Sequence, residues 1–325
     1  MYSFYAGHHS KNKMRLWLTL FLAGLELLIF SSCATLRIGT EILSGQDRDR
    51  ELSIPKLVWR DLTQEEWSGE KPVLRITSGR IRNPPLAFWA VAVDLKSHRV
   101  SAVIGPGPLE YGIVPAIRVS SFLEQYNCLV AINTNPFNTV SDQEGDPRTI
   151  VGIAMQEGLL LSDPEPPYGA LLFYKDGTAK IIAQKDLLLS DGAINFAALE
   201  SVSYAVGGFF PVLKEGLPQG TRRTRHPRSA VGVSKDGQTL FLLAIDGRLL
   251  DSIGTTEQET GQILAALGAW EGLLLDGGGS TSLVIQNNQG DPIILNHPVH
   301  EGTLNRERAV ATCLGFRGTG SQSTR

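Results

Sequence analysis

Apolar residues in this chain come mainly in short runs, several of them stopped by a polar residue and a turn. Such a pattern predicts strands and tight turns rather than a bundle of helices. "PLAFWAVAVDL" and "RVSAVIG" read as two strands paired around a turn at Lys96-Ser97-His98. "VGIAMQEGLLL", "GALLFYKDGTAKII" and "SAVGVSKDGQTLFLLAIDGR" read as hairpins turning at Gln156-Glu157-Gly158, Lys175-Asp176-Gly177 and Lys235-Asp236-Gly237. Two stretches keep helical spacing instead. In "AIRVSSFLEQYN", Ile117, Val119, Phe122, Leu123 and Tyr126 fall on one face and lead into the strand "CLVAIN". Further on, Thr256 and Glu259 form a capping box ahead of Ile263, Leu264 and Leu267, with Gly268 near the helix end. "GLLLD" then returns as a buried strand, and "RAVATCLGF" closes the fold. The expected architecture is α+β: a mixed, mainly antiparallel twisted sheet or sheets with a few packed helices, in a single compact domain.

The pattern changes at the ends. Lys11, Lys13 and Arg15 precede an apolar run from Leu16 to Phe30, then Ser31-Ser32-Cys33. Basic, apolar and small-residue regions in that order mark a secretory signal, and a run of about fifteen residues is short for a spanning helix. The small pair before a cysteine resembles a bacterial lipoprotein signal. Residues 1–32 are therefore expected to be the signal peptide, with Cys33 lipidated, and 33–53 a polar tether. Residues 54–318 are expected to form the folded domain and 319–325 a flexible tail. The protein is then exported and anchored in a membrane by its lipid, facing the periplasm or the cell exterior. With 325 residues a sizeable core is possible, and a formal net charge of −3 gives no basic excess for a nucleic-acid partner. The remaining cysteines, Cys128 and Cys313, sit in apolar runs and read as buried thiols.

Candidate chemistry concentrates where strands end. "LLLDGGGSTSLV" stops an apolar run at Asp276, follows it with Gly277, Gly278 and Gly279, and then shows Ser280 and Thr281. Glycines let a ligand approach the backbone amides, successive amides converge on anions, and the acid serves as base, nucleophile or sugar-hydroxyl acceptor. A glycine-rich turn is the plain alternative. Asp246-Gly247-Arg248 ends another strand, pairing a carboxylate with a side chain suited to phosphate. In "TRRTRHPRSA", Arg228 directly precedes a strand, whereas Arg222 and Arg223 read as solvated. Glu307 and Arg308 offer a second carboxylate and a further arginine before the last strand. His297 and His300 are candidate general acids, although an isolated loop histidine more often has no such role. "AINTNPFN" places Asn133, Asn135 and Asn138 in a rigid turn whose carboxamides suit sugars and phosphates, or Asx turns.

Taken in order, "AINTNPFN", "VGIAMQEGLLLSDP", "AVGGFFPVLKEG", "RHPRSAVGVSKDGQTLFLLAIDGR", "TTEQETGQILAALGAWEGLLLDGGGSTSLV" and "NRERAV" resemble the phosphodiester glycosidase family, as a bacterial lipoprotein-like member. Its usual Asn-Gly-Gly-x-Phe stands here as Asn133-Thr134-Asn135-Pro136-Phe137. The resemblance implies hydrolysis of a sugar-1-phosphodiester, acting on envelope or environmental glycans. Asp276, Asp246 and Glu307 would supply the catalytic carboxylates. Asn133, Phe137, Arg228, Arg248, Arg308, Gly277, Gly278, Gly279, Ser280 and Thr281 would bind the sugar phosphate. Expected partners are that glycan or sugar phosphate and the membrane; no cofactor is expected. Two other readings stay open: a non-catalytic glycan- or phosphoglycan-binding lipoprotein, and a phosphodiesterase whose divalent metal is held by Asp246, Asp276 and Glu307.

Overall fold

The computed structural model describes residues 51–62, 73–97, 99–138, 141 and 143–319. The signal, Cys33, nearly all of the tether and the end of the tail lie outside these residues.

The central strands read as almost continuous apolar runs because each serves two interiors. Along Thr239–Ile245, Leu240, Leu242 and Ala244 point to one side, and Phe241, Leu243 and Ile245 to the other. Pro85–Asp94 does the same, with Val91 and Val93 on one side and Leu86, Phe88, Ala90 and Ala92 on the other. Period-two side chains thus fill two cores from one strand. These strands belong to an eight-stranded sheet in the order Arg60–Asp61, Leu74–Arg82, Pro85–Asp94, Thr239–Ile245, Arg228–Val233, Glu271–Leu274, Pro211–Lys214, Leu217–Pro218.

The helix Glu257–Leu267 covers one face of this sheet, burying Ile263, Leu264 and Leu267 against Phe241, Leu243 and Leu274. Its capping box is complete: the Glu259 amide donates to the Thr256 hydroxyl and the Thr256 amide to the Glu259 carboxylate. Gly268 ends it with φ +103°, left-handed backbone that glycine adopts without strain. The opposite face packs on two five-stranded sheets. One runs Pro292–Ile294, Leu283–Gln286, Val130–Asn133, Cys313–Gly318, Val100–Gly105; the other Leu159–Ser162, Ala154–Gln156, Val202–Gly207, Gly169–Tyr174, Ala179–Ala183. Ile104, Ile132, Leu283 and Leu314 from the first meet Leu171, Phe173 and Val206 from the second in that shared core.

All three expected hairpins form, and Val119–Gln125 is helical. Two expectations are corrected. Pro85–Asp94 and Val100–Gly105 do not pair: the first lies between Leu74–Arg82 and Thr239–Ile245, the second beside Cys313–Gly318. The turn between them carries the chain from one sheet to another, which adjacency in sequence does not reveal. Neither is the sheet mixed. Every strand pairing among the described residues is antiparallel, and helices are few, so the fold is predominantly β. Cys128 and Cys313 are buried free thiols, and burial pushes the Cys128 thiol up to about 12.

Candidate active site

Three strand ends converge where the eight-stranded sheet meets its neighbour. Thr239–Ile245 delivers Asp246, Arg228–Val233 begins at Arg228, and Glu271–Leu274 leads to Asp276. Continuing the register places Asp246 beside Pro227 and Asp276 beside Arg228. The two acids therefore stand two strand spacings apart, about 10 Å between backbones. From the neighbouring sheet comes Asn133, whose side chain is fully buried. Its Oδ1 accepts from the Ser229 hydroxyl (2.6 Å) and the Ser282 amide (3.2 Å), and its Nδ2 donates to the Asp276 carbonyl (2.5 Å). The Asp276 amide reaches the Thr134 carbonyl at 2.9 Å. Asn133 thus fastens the Asp276 turn between the sheets from a fully buried position, unlike the open sugar-binding carboxamide expected of it.

The need for three successive glycines follows from what surrounds them. A Cβ on Gly277 would stand 2.9 Å from the Pro227 carbonyl oxygen, with the Arg228 side chain just beyond. On Gly278, whose φ is +63°, it would stand 3.0 Å from Nη2 of Arg248. On Gly279 it would stand 2.6 Å from Nη2 of Arg308 and 3.0 Å from Nδ1 of His300. Each glycine lies against one arginine, and the guanidinium ends of Arg248 and Arg308 touch the loop itself. Arg248 also has left-handed backbone (φ +63°), and its Nη1 donates to the Val299 carbonyl at 3.1 Å. Arg308 donates through Nη1 to the Ser280 hydroxyl and through Nε to Nδ1 of His300, both at 3.2 Å.

Asp276 lies half-buried inside this arrangement. Burial pushes its carboxyl up to about 6, against the lowering effects of the Ser280 hydroxyl, the Arg308 charge and the Gly277 amide. Ser280 thereby links Asp276 to Arg308. Burial also raises Asp246, opposed by its two bonds to His297: one oxygen accepts from the His297 amide and the other bonds Nδ1, each at 2.7 Å. The His297 ring lies edge-on to Trp89 at 5.5 Å between centroids, with its side chain 44% exposed. Burial and the nearby Arg308 hold His300 below its ordinary value, and burial with Arg228 and Arg248 does the same for His226.

Other expected site residues have different surroundings. Glu307 is buried and its carboxylate accepts from Ser120, through amide and hydroxyl, and from the Ser282 hydroxyl at 2.6 Å. It ties the helix Val119–Gln125 to the end of the glycine loop, and the three carboxylates do not share a centre. Among the described residues no three of His, Cys, Asp and Glu are gathered to hold a metal ion. Arg228 turns its guanidinium to the Thr255 and Thr224 carbonyls at 3.2 and 3.1 Å. The Thr281 hydroxyl is buried with no hydrogen-bond partner. Phe137 packs on Val114, Ile150 and Ala311, with Arg148 over its ring. Thr134 and Asn135, which replace the glycine pair, are buried too: Thr134 bonds Thr312, and Asn135 donates to the Ile153 carbonyl at 3.0 Å. Their side chains fill the interior and not the cleft. The basic run is largely an anchor, since Arg225 grips Glu259 with two bonds of 2.5 and 2.7 Å and Arg222 stacks on Phe210 at 4.5 Å. His297 and His300 enter the site although sequence reading set them aside. The partner of His297 lies 51 residues away, and only the fold brings the two together.

The fold recurs in solved structures. The catalytic domain of zebrafish N-acetylglucosamine-1-phosphodiester α-N-acetylglucosaminidase, auto-inhibited by its pro-peptide, aligns with a TM-score of 0.57 at 20% identity, covering 81% of this chain and 88% of that one. A hypothetical protein from Synechocystis aligns at 0.53 and 16%, covering 74% of this chain and 62% of that one. At these identities the likeness is one of fold. In sequence, the SPbeta prophage-derived uncharacterized protein YomE of Bacillus subtilis is 28% identical over 209 residues, or 58% of this chain. The chain spans 30% of that relative's length. Residues 126–317 match the family model for phosphodiester glycosidases, a stretch that holds the glycine loop, both aspartates and all three arginines. With more than half of its length inside that match, the chain belongs to the phosphodiester glycosidase family.

Proposed function

We propose that this protein hydrolyses a sugar-1-phosphodiester, freeing the sugar and leaving a phosphomonoester. The observation that carries this reading is the contact of Arg248 and Arg308 with Gly278 and Gly279, beside Asp276. A phosphodiester departs as a stabilised anion, so protonating the leaving group matters less than in ordinary glycoside cleavage. What the reaction needs is fixed positive charge on the phosphate and negative charge near the sugar ring as it becomes cationic. Arg248 and Arg308 supply the first, and Asp276, ionised at neutral pH with its value near 6, supplies the second. The substrate is a glycan of the cell envelope or surroundings. That fits the lipoprotein-like signal ending at Cys33, which would keep the enzyme on a membrane outside the cytoplasm.

The test is turnover of a sugar-1-phosphate diester by purified protein, before and after chelation, with Arg308→Ala alongside. Wild type should release sugar with or without chelator, and the variant should lose at least tenfold in kcat/KM. Binding without turnover would make this a phosphoglycan-binding protein. Loss on chelation, restored by a divalent ion, would make it a metal-dependent phosphodiesterase.

A further inference from the structure

The hydrolysis proposed above needs a group to take the proton from the attacking water, and the carboxylates are poorly placed for it. Both oxygens of Asp246 are occupied by His297. Glu307 is buried against Ser120 and Ser282, and Asp276 is held by Ser280 and the Gly277 amide. Nor are the neighbouring histidines suited to it. His300 is 2% exposed and receives Nε–H of Arg308 on Nδ1. His226 faces the charges of Arg228 and Arg248, which oppose the positive charge a base acquires on taking a proton.

His297 has what these groups lack. Its backbone amide and Nδ1 are both fixed by one buried carboxylate at 2.7 Å, and Trp89 packs edge-on against its ring. With Asp246 accepting a hydrogen bond from Nδ1–H, Nε2 carries the lone pair. The side chain is 44% exposed. It hangs from the same segment as Val299 and His300, which reach Arg248 and Arg308 respectively. This is the orienting-acid and histidine pairing that makes imidazole a positioned base, formed here between two loops far apart in sequence.

We propose, on the basis of the hydrolytic reading above, that His297 is the base that activates water, with Asp246 as its positioning residue. Nε2 of neutral His297 takes a proton from the water. The water oxygen forms a bond to the anomeric carbon as the bond from that carbon to the phosphate oxygen breaks, and the phosphomonoester leaves with that electron pair. The imidazolium then returns its proton to solvent through its exposed edge, leaving sugar and phosphomonoester as products.

His297→Ala should lower hydrolysis about 100- to 10,000-fold. Azide, an anion that attacks without giving up a proton, should restore sugar release in the form of a glycosyl azide. An unfolded variant would show no such rescue. Asp246→Asn keeps the shape but offers Nδ1 a donor, forcing the proton onto Nε2. It should therefore lower kcat with little change in KM, and the double variant should lose no more than His297→Ala alone. Activity of His297→Ala within tenfold of wild type, or a loss that azide does not repair, overturns the assignment. Wild-type turnover with an undiminished histidine variant removes this inference alone; absence of turnover by wild type removes the hydrolytic reading with it.

Discussion

Replacing Asp276 by Asn removes one charge and almost no volume, and the structure sets opposite expectations for activity and stability. Burial lifts the carboxyl from its ordinary 3.8 to about 6. The folded protein therefore holds this proton across a window in which the unfolded chain has released it. Asp276 is at its most favourable to folding below pH 3.8, and that contribution disappears as pH rises through 6. Above pH 6 the ionised, half-buried acid disfavours the fold by a ceiling of about 3 kcal/mol, since each pH unit of separation is worth about 1.4 kcal/mol. Asn stands in for the neutral acid at every pH. Asp276→Asn should abolish turnover and yet raise the melting temperature at pH 8, by up to about 10 °C for a domain this size, with most of the gain gone at pH 4. Parallel thermal melts at several pH values and a turnover assay measure both. A stability difference that stays constant from pH 4 to 8 would refute the burial argument, and near wild-type turnover would make Asp276 structural. In the wild type, kcat/KM should rise with pH through a midpoint near 6 as Asp276 ionises.

Three further outcomes separate the parts of the site. Gly279→Ala puts a methyl 2.6 Å from Nη2 of Arg308; steady-state kinetics should show KM raised tenfold or more with a smaller effect on kcat, and unchanged kinetics would mean Arg308 does not contact the phosphate. Glu307→Gln should destabilise by about 1–3 kcal/mol in urea unfolding, because the amide meets hydroxyl and amide donors that now have an acceptor too few, while the folded variant keeps its kcat; a lost kcat at full stability would return Glu307 to the chemistry. Arg222→Ala should leave turnover within about twofold, since this residue stacks on Phe210, and a large loss would move the phosphate site.

The parts of this architecture written in local pattern were readable from sequence. The capping box at Thr256 and Glu259, the Lys235-Asp236-Gly237 hairpin and the strand ending at Asn133 each depend on residues a few positions apart. The Asp276 glycine run was legible as a place where backbone and ligand approach closely, but not as three positions matched to three arginines. The sheet change after Asp94 was illegible, because an apolar strand looks the same whichever sheet receives it. Roles assigned by residue type alone fared unevenly. Asn133 and Glu307 were read as facing substrate, since carboxamides and carboxylates often do; the fold turns both inward, where Asn133 locks one sheet to the other and Glu307 ties a helix to the end of the glycine loop. His297 was passed over because an imidazole in a loop has no visible partner until Asp246 is brought beside it.

The site also divides between two origins. Asp246, Arg228 and Asp276 stand at the ends of neighbouring strands whose register is fixed by two cores, so none can shift alone. His297, His300 and Arg308 belong to the long connection between Pro292–Ile294 and Cys313–Gly318, whose own pairing is the short hairpin of Val299–His300 with Thr303–Leu304 and one bridge from Val310 to Ile117. Mutation can therefore lengthen, shorten or redecorate that connection while the strand ends keep their places. The strand ends thus fix where the aspartates stand, while the connection sets how His297 and Arg308 are presented to them, so a change in its length would move the proposed base and phosphate contact without moving the acids.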